Sequence, residues 1–231
     1  MYLEAVGLAL KYPNTANYVF ENLSIQLAKP GFTALFGPSG VGKTSLAKII
    51  TGEIHSFSGD IRSKGMQTCL YSYNLERLPG WSSVGKHLEK ITPTARRNRR
   101  DELISVFGLE ELIEKRFSQL SLGQQNRVNL LRYLLQDFHL LIMDESLANV
   151  DELTREKIIL KIKDLYPEAY FLYISHNVVE VSKLCNEIIV LRGSLKEPSA
   201  TVVSGRNFMT GQEMERAKLE QTMLEIVNAS S

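Results

Sequence analysis

Apolar residues fall along this chain in short, dense runs, with polar stretches of helical spacing between them. Phe32 to Phe36 (FTALF) has the length of one buried strand. It opens onto a glycine-rich turn, Gly37 to Gly42, and a helix is expected to begin near Lys43. Ser58-Gly59-Asp60 punctuates the chain ahead of another short strand, and Leu70 to Tyr73 reads as a strand. The character changes at Asn74. From there to about Tyr133 the pattern is helical, with Leu103, Ile104 and Phe107 on one face and Gly108 suited to a stop. Strand-like runs resume at Leu140 to Met143 (LLIM), Phe171 to Ser175 (FLYIS) and Ile188 to Leu191 (IIVL). Strands alternating with helices predict parallel pairing and an α/β sheet. From Gln212 the pattern predicts a final helix with Leu219, Met223, Ile226 and Val227 on one face, packed on the core or held out for a partner. The expected organisation is one domain: a core formed by 1–73 and 132–210, a helical insertion over 74–131, and a terminal helix over 211–231.

Composition narrows this picture. A chain of 231 residues with 44% hydrophobic and 23% charged residues is sized and balanced for one large globular domain. Its net charge of +1 gives no general attraction for nucleic acid or acidic lipid, and no nucleic-acid partner is expected. The basic cluster Arg96-Arg97-Asn98-Arg99-Arg100, followed by Asp101-Glu102, reads as a solvated helix face or helix start, or else as a contact for lipid head groups or a partner loop. Cys69 and Cys185 lack metal-ligand spacing and read as inert thiols in a reducing compartment. Met1-Tyr2-Leu3-Glu4 carries no basic region followed by an apolar run, so no secretion signal is expected. No run approaches the roughly 20 apolar residues needed to span a bilayer, so any role at a membrane would go through a partner.

The turn after FTALF carries the chemistry. Gly37-Pro38-Ser39-Gly40-Val41-Gly42-Lys43-Thr44 matches G-x-x-x-x-G-K-[ST] in full, and a random match over this length has a probability on the order of 1%. Successive backbone N–H groups can curl round a polyphosphate only where side chains leave room, and the following helix points its positive end at the same anion. Lys43 then supplies a charge to the β and γ phosphates, Thr44 a hydroxyl for Mg²⁺, and Ser45 completes the loop. LLIM ends in Asp144 and Glu145, at the sheet edge where ligands of open α/β sheets sit. Asp144 is placed to hold Mg²⁺ and Glu145 to act as general base toward water. His176, after FLYIS, reaches the same edge and suits a contact with the γ-phosphate.

Leu120-Ser121-Leu122-Gly123-Gln124-Gln125-Asn126-Arg127-Val128 resembles the signature of the ATP-binding cassette family, commonly LSGGQ followed by QQRV, and stands 23 residues ahead of Asp144. Asp144 to Asp151 is similar to the family's DEP…LD stretch, Ile174 to Asn177 with Glu180 to its switch segment, and Tyr12 to its adenine-stacking aromatic. The resemblance implies an α/β P-loop core flanked by a small antiparallel β subdomain, with a helical subdomain inserted before the signature. It implies two copies closing head to tail over ATP and Mg²⁺, with Ser121, Gly123 and Gln124 serving the partner's nucleotide and Asp151 at the D-loop. It further implies a transmembrane permease, a solute-binding protein acting through it, and a place on the cytoplasmic face of the cell membrane. Leu78-Pro79-Gly80-Trp81 and Gly205-Arg206-Asn207-Phe208 are similar to the nitrate, sulfonate, taurine and thiamine-precursor importers. Other readings in the same fold are a soluble ATPase or scaffold without a permease, and an assembly switch that binds ATP and barely hydrolyses it.

Three positions depart from the family pattern. Leu122 replaces the first signature glycine, and Ser146 replaces the proline after the catalytic acid. The Q-loop glutamine is missing: counted from one side its place is Tyr73, from the other Asn74, and an Asn74 carbonyl could approach Mg²⁺. These departures predict slow turnover.

Overall fold

A computed structural model describes residues 1–74, 76, 80–193 and 196–230. The chain opens with β1 (Tyr2–Leu10), β2 (Phe20–Leu27) and β3 (Gly31–Phe36), then α1 (Lys43–Ile50), β4 (Ser58–Lys64) and β5 (Cys69–Tyr73). Helices α2 (Val84–Ile91), α3 (Arg97–Val106) and α4 (Leu122–Leu134) follow. The alternation resumes with β6 (Leu140–Asp144), α5 (Glu152–Leu165), β7 (Tyr170–Ile174), α6 (Val178–Leu184), β8 (Glu187–Leu191) and β9 (Ala200–Ser204), and ends with α7 (Arg216–Ser230).

Two sheets form. β2, β1 and β4 make an antiparallel three-stranded sheet, and β5-β6-β7-β3-β8-β9 make a six-stranded sheet that is parallel except for the β8–β9 edge. Each central strand of the larger sheet is buried on both faces, which is why it reads as a nearly continuous apolar run. Alternate residues serve opposite sides. Leu141, Met143, Phe171 and Tyr173 join the core under the helical region, while Leu140, Ile142, Leu172 and Ile174 join the core shared with α1 and the small sheet. Phe32 stacks on Phe171 with ring centroids 4.5 Å apart, locking β3 against β7.

Two details differ from the sequence reading. Ser58-Gly59-Asp60 lies inside β4, where Ser58 pairs with Ala9 and Asp60 with Val6. This edge strand is largely solvent-exposed, so polar residues fit it. On α7 the buried positions are Thr222 and Ile226, whereas Val227 is exposed, because one residue past Ile226 the helix has turned about 100°. The arginine cluster stands at a helix start, as read: α3 begins at Arg97, which is exposed with Asn98, while Arg96 donates to the Leu135 and Gln136 carbonyls at the end of α4 and Arg99 lies over the Tyr166 ring at 4.8 Å. Cys69 and Cys185 are unpaired, and burial pushes the Cys69 thiol up to about 12. No helix among the described residues is long and apolar enough to cross a membrane.

Candidate functional site

The parallel strands deliver their C-terminal ends to one edge, and the phosphate-loop motif, both acids and the histidine meet there. β3 runs into Gly37, β6 ends at Asp144, and β7 leads to Ser175 and His176. A cavity of about 260 Å³ is lined by Ser39, Gly40, Gly42, Lys43, Thr44, Ser45, Asp144, Glu145 and His176 with Ile174. Gly42 precedes α1 at φ 104°, and a Cβ there would stand 2.6 Å from Val19 and 2.8 Å from Phe20. Glycine is therefore required where the loop turns into its helix.

Lys43 is buried, and its Nζ donates to the Gly37 and Pro38 carbonyls at 2.8 Å each, which holds the amine inside the loop. Burial lowers its pKa, and Asp144 and Glu145 act in the opposite direction. Thr44 Oγ1 donates to Asp144 Oδ2 at 2.7 Å. A hydroxyl and a carboxylate are hard oxygen donors of the kind magnesium takes, and two such groups leave the remaining positions to phosphate and water, as is usual for Mg²⁺ sites. The donor set thus fits the ion.

Glu145 has φ 51°, a strained conformation for a residue with a Cβ, and such outliers gather at functional sites. Its Oε1 lies 2.6 Å from His176 Nε2, so the predicted base and the predicted phosphate contact are already in touch. Tyr12 stands half-exposed beside α1, its hydroxyl 3.0 Å from Ser45 Oγ, which fixes the ring near the loop.

The signature residues are engaged within their own chain. Ser121 caps α4 by accepting from the Gln124 N–H at 3.3 Å, and Gln124 Oε1 accepts from the Ser121 N–H at 2.9 Å. Gly123 is buried against the 145–149 turn, where a Cβ would stand 2.2 Å from the Asn149 carbonyl oxygen. Leu122 projects into solvent at the first turn of α4. Asp151 caps α5 through the Thr154 N–H at 2.9 Å, and that hydrogen bond holds its carboxyl below the usual range. Ser121, Gly123, Gln124, Asp151 and Tyr12 line none of the cavity around Lys43.

The departures from the family pattern have local partners. Tyr73 ends β5 opposite Asp144, and Asn74 continues the ladder through its N–H to the Asp144 carbonyl at 3.1 Å. The Asn74 side-chain oxygen accepts from Asn126 Nδ2 at 2.9 Å, on α4, and Asn74 also lines a pocket shared with Thr44, Asp144 and Glu145. The same Asn126 amide donates to the Ala148 carbonyl at 2.8 Å. Ser146, buried, donates to the Ser72 carbonyl at 2.8 Å and ties the turn after the acids to β5, a contact no proline could make. Of the branch-like residues, Leu78 and Pro79 lie outside the described residues, and Trp81 is almost fully exposed. Asn207 and Phe208 are bound by Lys163.

Sequence reasoning missed Tyr71. Its buried hydroxyl donates to Asp144 Oδ2 at 2.9 Å, the oxygen that also accepts from Thr44. Burial and the Asp144 charge both push the phenol up, so it remains a donor. A tyrosine in an apolar strand reads as core, and only the pairing of β5 with β6 brings it to the acid.

These features define a P-loop nucleotide-binding fold of the cassette type. The sequence model described as ABC transporter matches residues 20–148, more than half of the chain, and the chain belongs to that family. It is 34% identical over 184 residues to the molybdenum import ATP-binding protein ModC of Brucella suis, which covers 71% of this chain and 51% of that protein. It is 30% identical to ModC of Saccharophagus degradans, covering 94% of this chain and 67% of the relative. The chain thus spans about half the length of the first of these curated relatives. A dimeric ATP-binding cassette solved in a post-hydrolysis state with ADP and Pi matches with TM-score 0.69 at 20% identity, over 82% of this chain and 94% of that one, which shows the fold.

Proposed function

We propose that this chain is the ATP-binding and ATP-hydrolysing subunit that powers a bacterial importer of a small solute. The observation that carries the reading is the single cavity joining the Lys43 loop to Asp144, Glu145 and His176. Lys43 exchanges its two loop carbonyls for the β and γ phosphate oxygens. Thr44 and Asp144 hold Mg²⁺, which when bound neutralises phosphate charge. Glu145 takes a proton from the attacking water, and His176, already 2.6 Å from it, orients that carboxylate and contacts the γ-phosphate. Tyr12 stacks on adenine. The core of 1–73 and 132–210, the helical part 74–131 and the helix of 211–231 act as one unit. Two copies close so that Ser121, Gly123 and Gln124 of one meet the nucleotide of the other, with Asp151 beside the shared seam. The partners are a second such subunit, a transmembrane permease and, through it, a solute-binding protein, with the chain peripheral on the cytoplasmic face. Support for import comes from the relatives, which carry that word in their names.

A weakly hydrolysing ATP switch is the second reading. The exposed Leu122 and the Asn74 oxygen turned to Asn126 favour it. Magnesium-dependent ATP hydrolysis, followed against protein concentration, separates the two. A rate rising faster than linearly and lost in Glu145→Gln is the expected result. Tight ATP binding with no turnover in either protein would overturn the ATPase reading in favour of the switch.

A further inference from the structure

Asp144 is held from two directions. Thr44 reaches it from α1 at 2.7 Å and Tyr71 from β5 at 2.9 Å, and both bonds fall on the same oxygen, Oδ2. Among the described residues, Oδ1 has no protein donor. A carboxylate with one oxygen gripped from two separate elements cannot rotate freely, so its other oxygen is presented in one orientation. Tyr71 is well placed for this work. Its side chain is buried and its ring lies 5.4 Å from that of Tyr73, while β5 is locked in register with β6 from Cys69 to Tyr73. Thr44 cannot do the job alone, because its oxygen is also a magnesium ligand in the reading above and must turn to the ion. The phenol has no such second duty.

We propose that Tyr71 is a positioning residue for the magnesium–nucleotide complex: its hydroxyl keeps the Asp144 carboxylate oriented when Thr44 turns to the ion. The proposal rests on the reading of Thr44 and Asp144 as magnesium ligands. It goes beyond the motif residues, since Tyr71 belongs to none of them.

The test is a fluorescence titration of the full chain with an N-methylanthraniloyl ATP analogue, once in excess Mg²⁺ and once in EDTA, for wild type, Tyr71→Phe and Asp144→Asn. Thermal unfolding midpoints are measured alongside. Wild type is expected to bind more tightly with Mg²⁺, and Asp144→Asn to lose that gain. Tyr71→Phe is expected to cut the Mg²⁺-dependent gain about tenfold, the size of one hydrogen bond to a charged group, while affinity in EDTA and the midpoint stay near wild type. An unchanged gain in Tyr71→Phe, with wild type and Asp144→Asn behaving as expected, overturns the role of Tyr71 and leaves the magnesium reading standing. Equal weakening in both buffers with a fallen midpoint overturns it too, by showing a packing role. A wild type that binds equally in both buffers overturns the magnesium reading itself, and the proposal with it.

Discussion

The phosphate loop and the signature segment carry motifs of similar specificity, yet the fold uses them in different ways. The loop's side chains face one another across a cavity closed by two acids and a histidine. The signature's side chains turn inward on their own chain: Ser121 and Gln124 cap a helix, and Gly123 makes room for the Asn149 carbonyl. A motif in the first region can be read from the chemistry it assembles. In the second, residues expected to serve a partner's ligand also hold their own subunit in shape, so losing one would combine a structural and a functional effect.

Substitutions can break that contrast. The largest effect is expected from Glu145→Gln, which removes the proposed proton acceptor and should lower hydrolysis by about 10²- to 10⁴-fold while ATP binding, measured by equilibrium titration, persists. Lys43→Ala should weaken ATP binding about 10- to 150-fold, the worth of one charge-assisted contact, with little change in unfolding midpoint. Gly123→Ala should act first on stability. Its Cβ would meet the Asn149 oxygen at 2.2 Å, and relieving that overlap should cost about 1–3 kcal/mol in denaturant unfolding. An unaltered midpoint would mean that Gly123 carries no structural duty in its own subunit. The smallest effect is expected from Leu122→Gly. Hydrolysis should rise, by up to about tenfold, if the isobutyl group crowds a partner's phosphates. A steady rate in a folded variant would remove crowding as the cause of slow turnover.

The sequence made the central sheet legible because β3, β6, β7 and β8 are buried on both faces, so they are almost wholly apolar, with the buried Thr33 of β3 an exception. Gly37 to Thr44, Asp144, Glu145 and His176 were legible for the same reason, since each follows directly from such a strand. The small antiparallel sheet was harder to see. β4 is exposed almost throughout, and its Ser-Gly-Asp start imitates a turn. The contacts of Tyr71, Ser146 and Asn126 were invisible because their partners lie on other segments: Asp144 for the first, Ser72 for the second, Asn74 and Ala148 for the third. The β5–β6 register, which sets Tyr73 in the strand and Asn74 just past it, was likewise out of reach of the sequence.

Asn126 has a mechanical consequence. Its buried amide has two hydrogens, and they are held by acceptors in two different segments, the Asn74 side chain and the Ala148 carbonyl, while the asparagine itself rides on the signature helix. One side chain thus rivets three segments of the chain together. Pulling any one of them away would leave a buried donor or acceptor unpaired, at about 1–3 kcal/mol for each group. A rivet of this kind holds fully or shears. The signature helix, the end of β5 and the turn after Glu145 are therefore expected to resist being drawn apart.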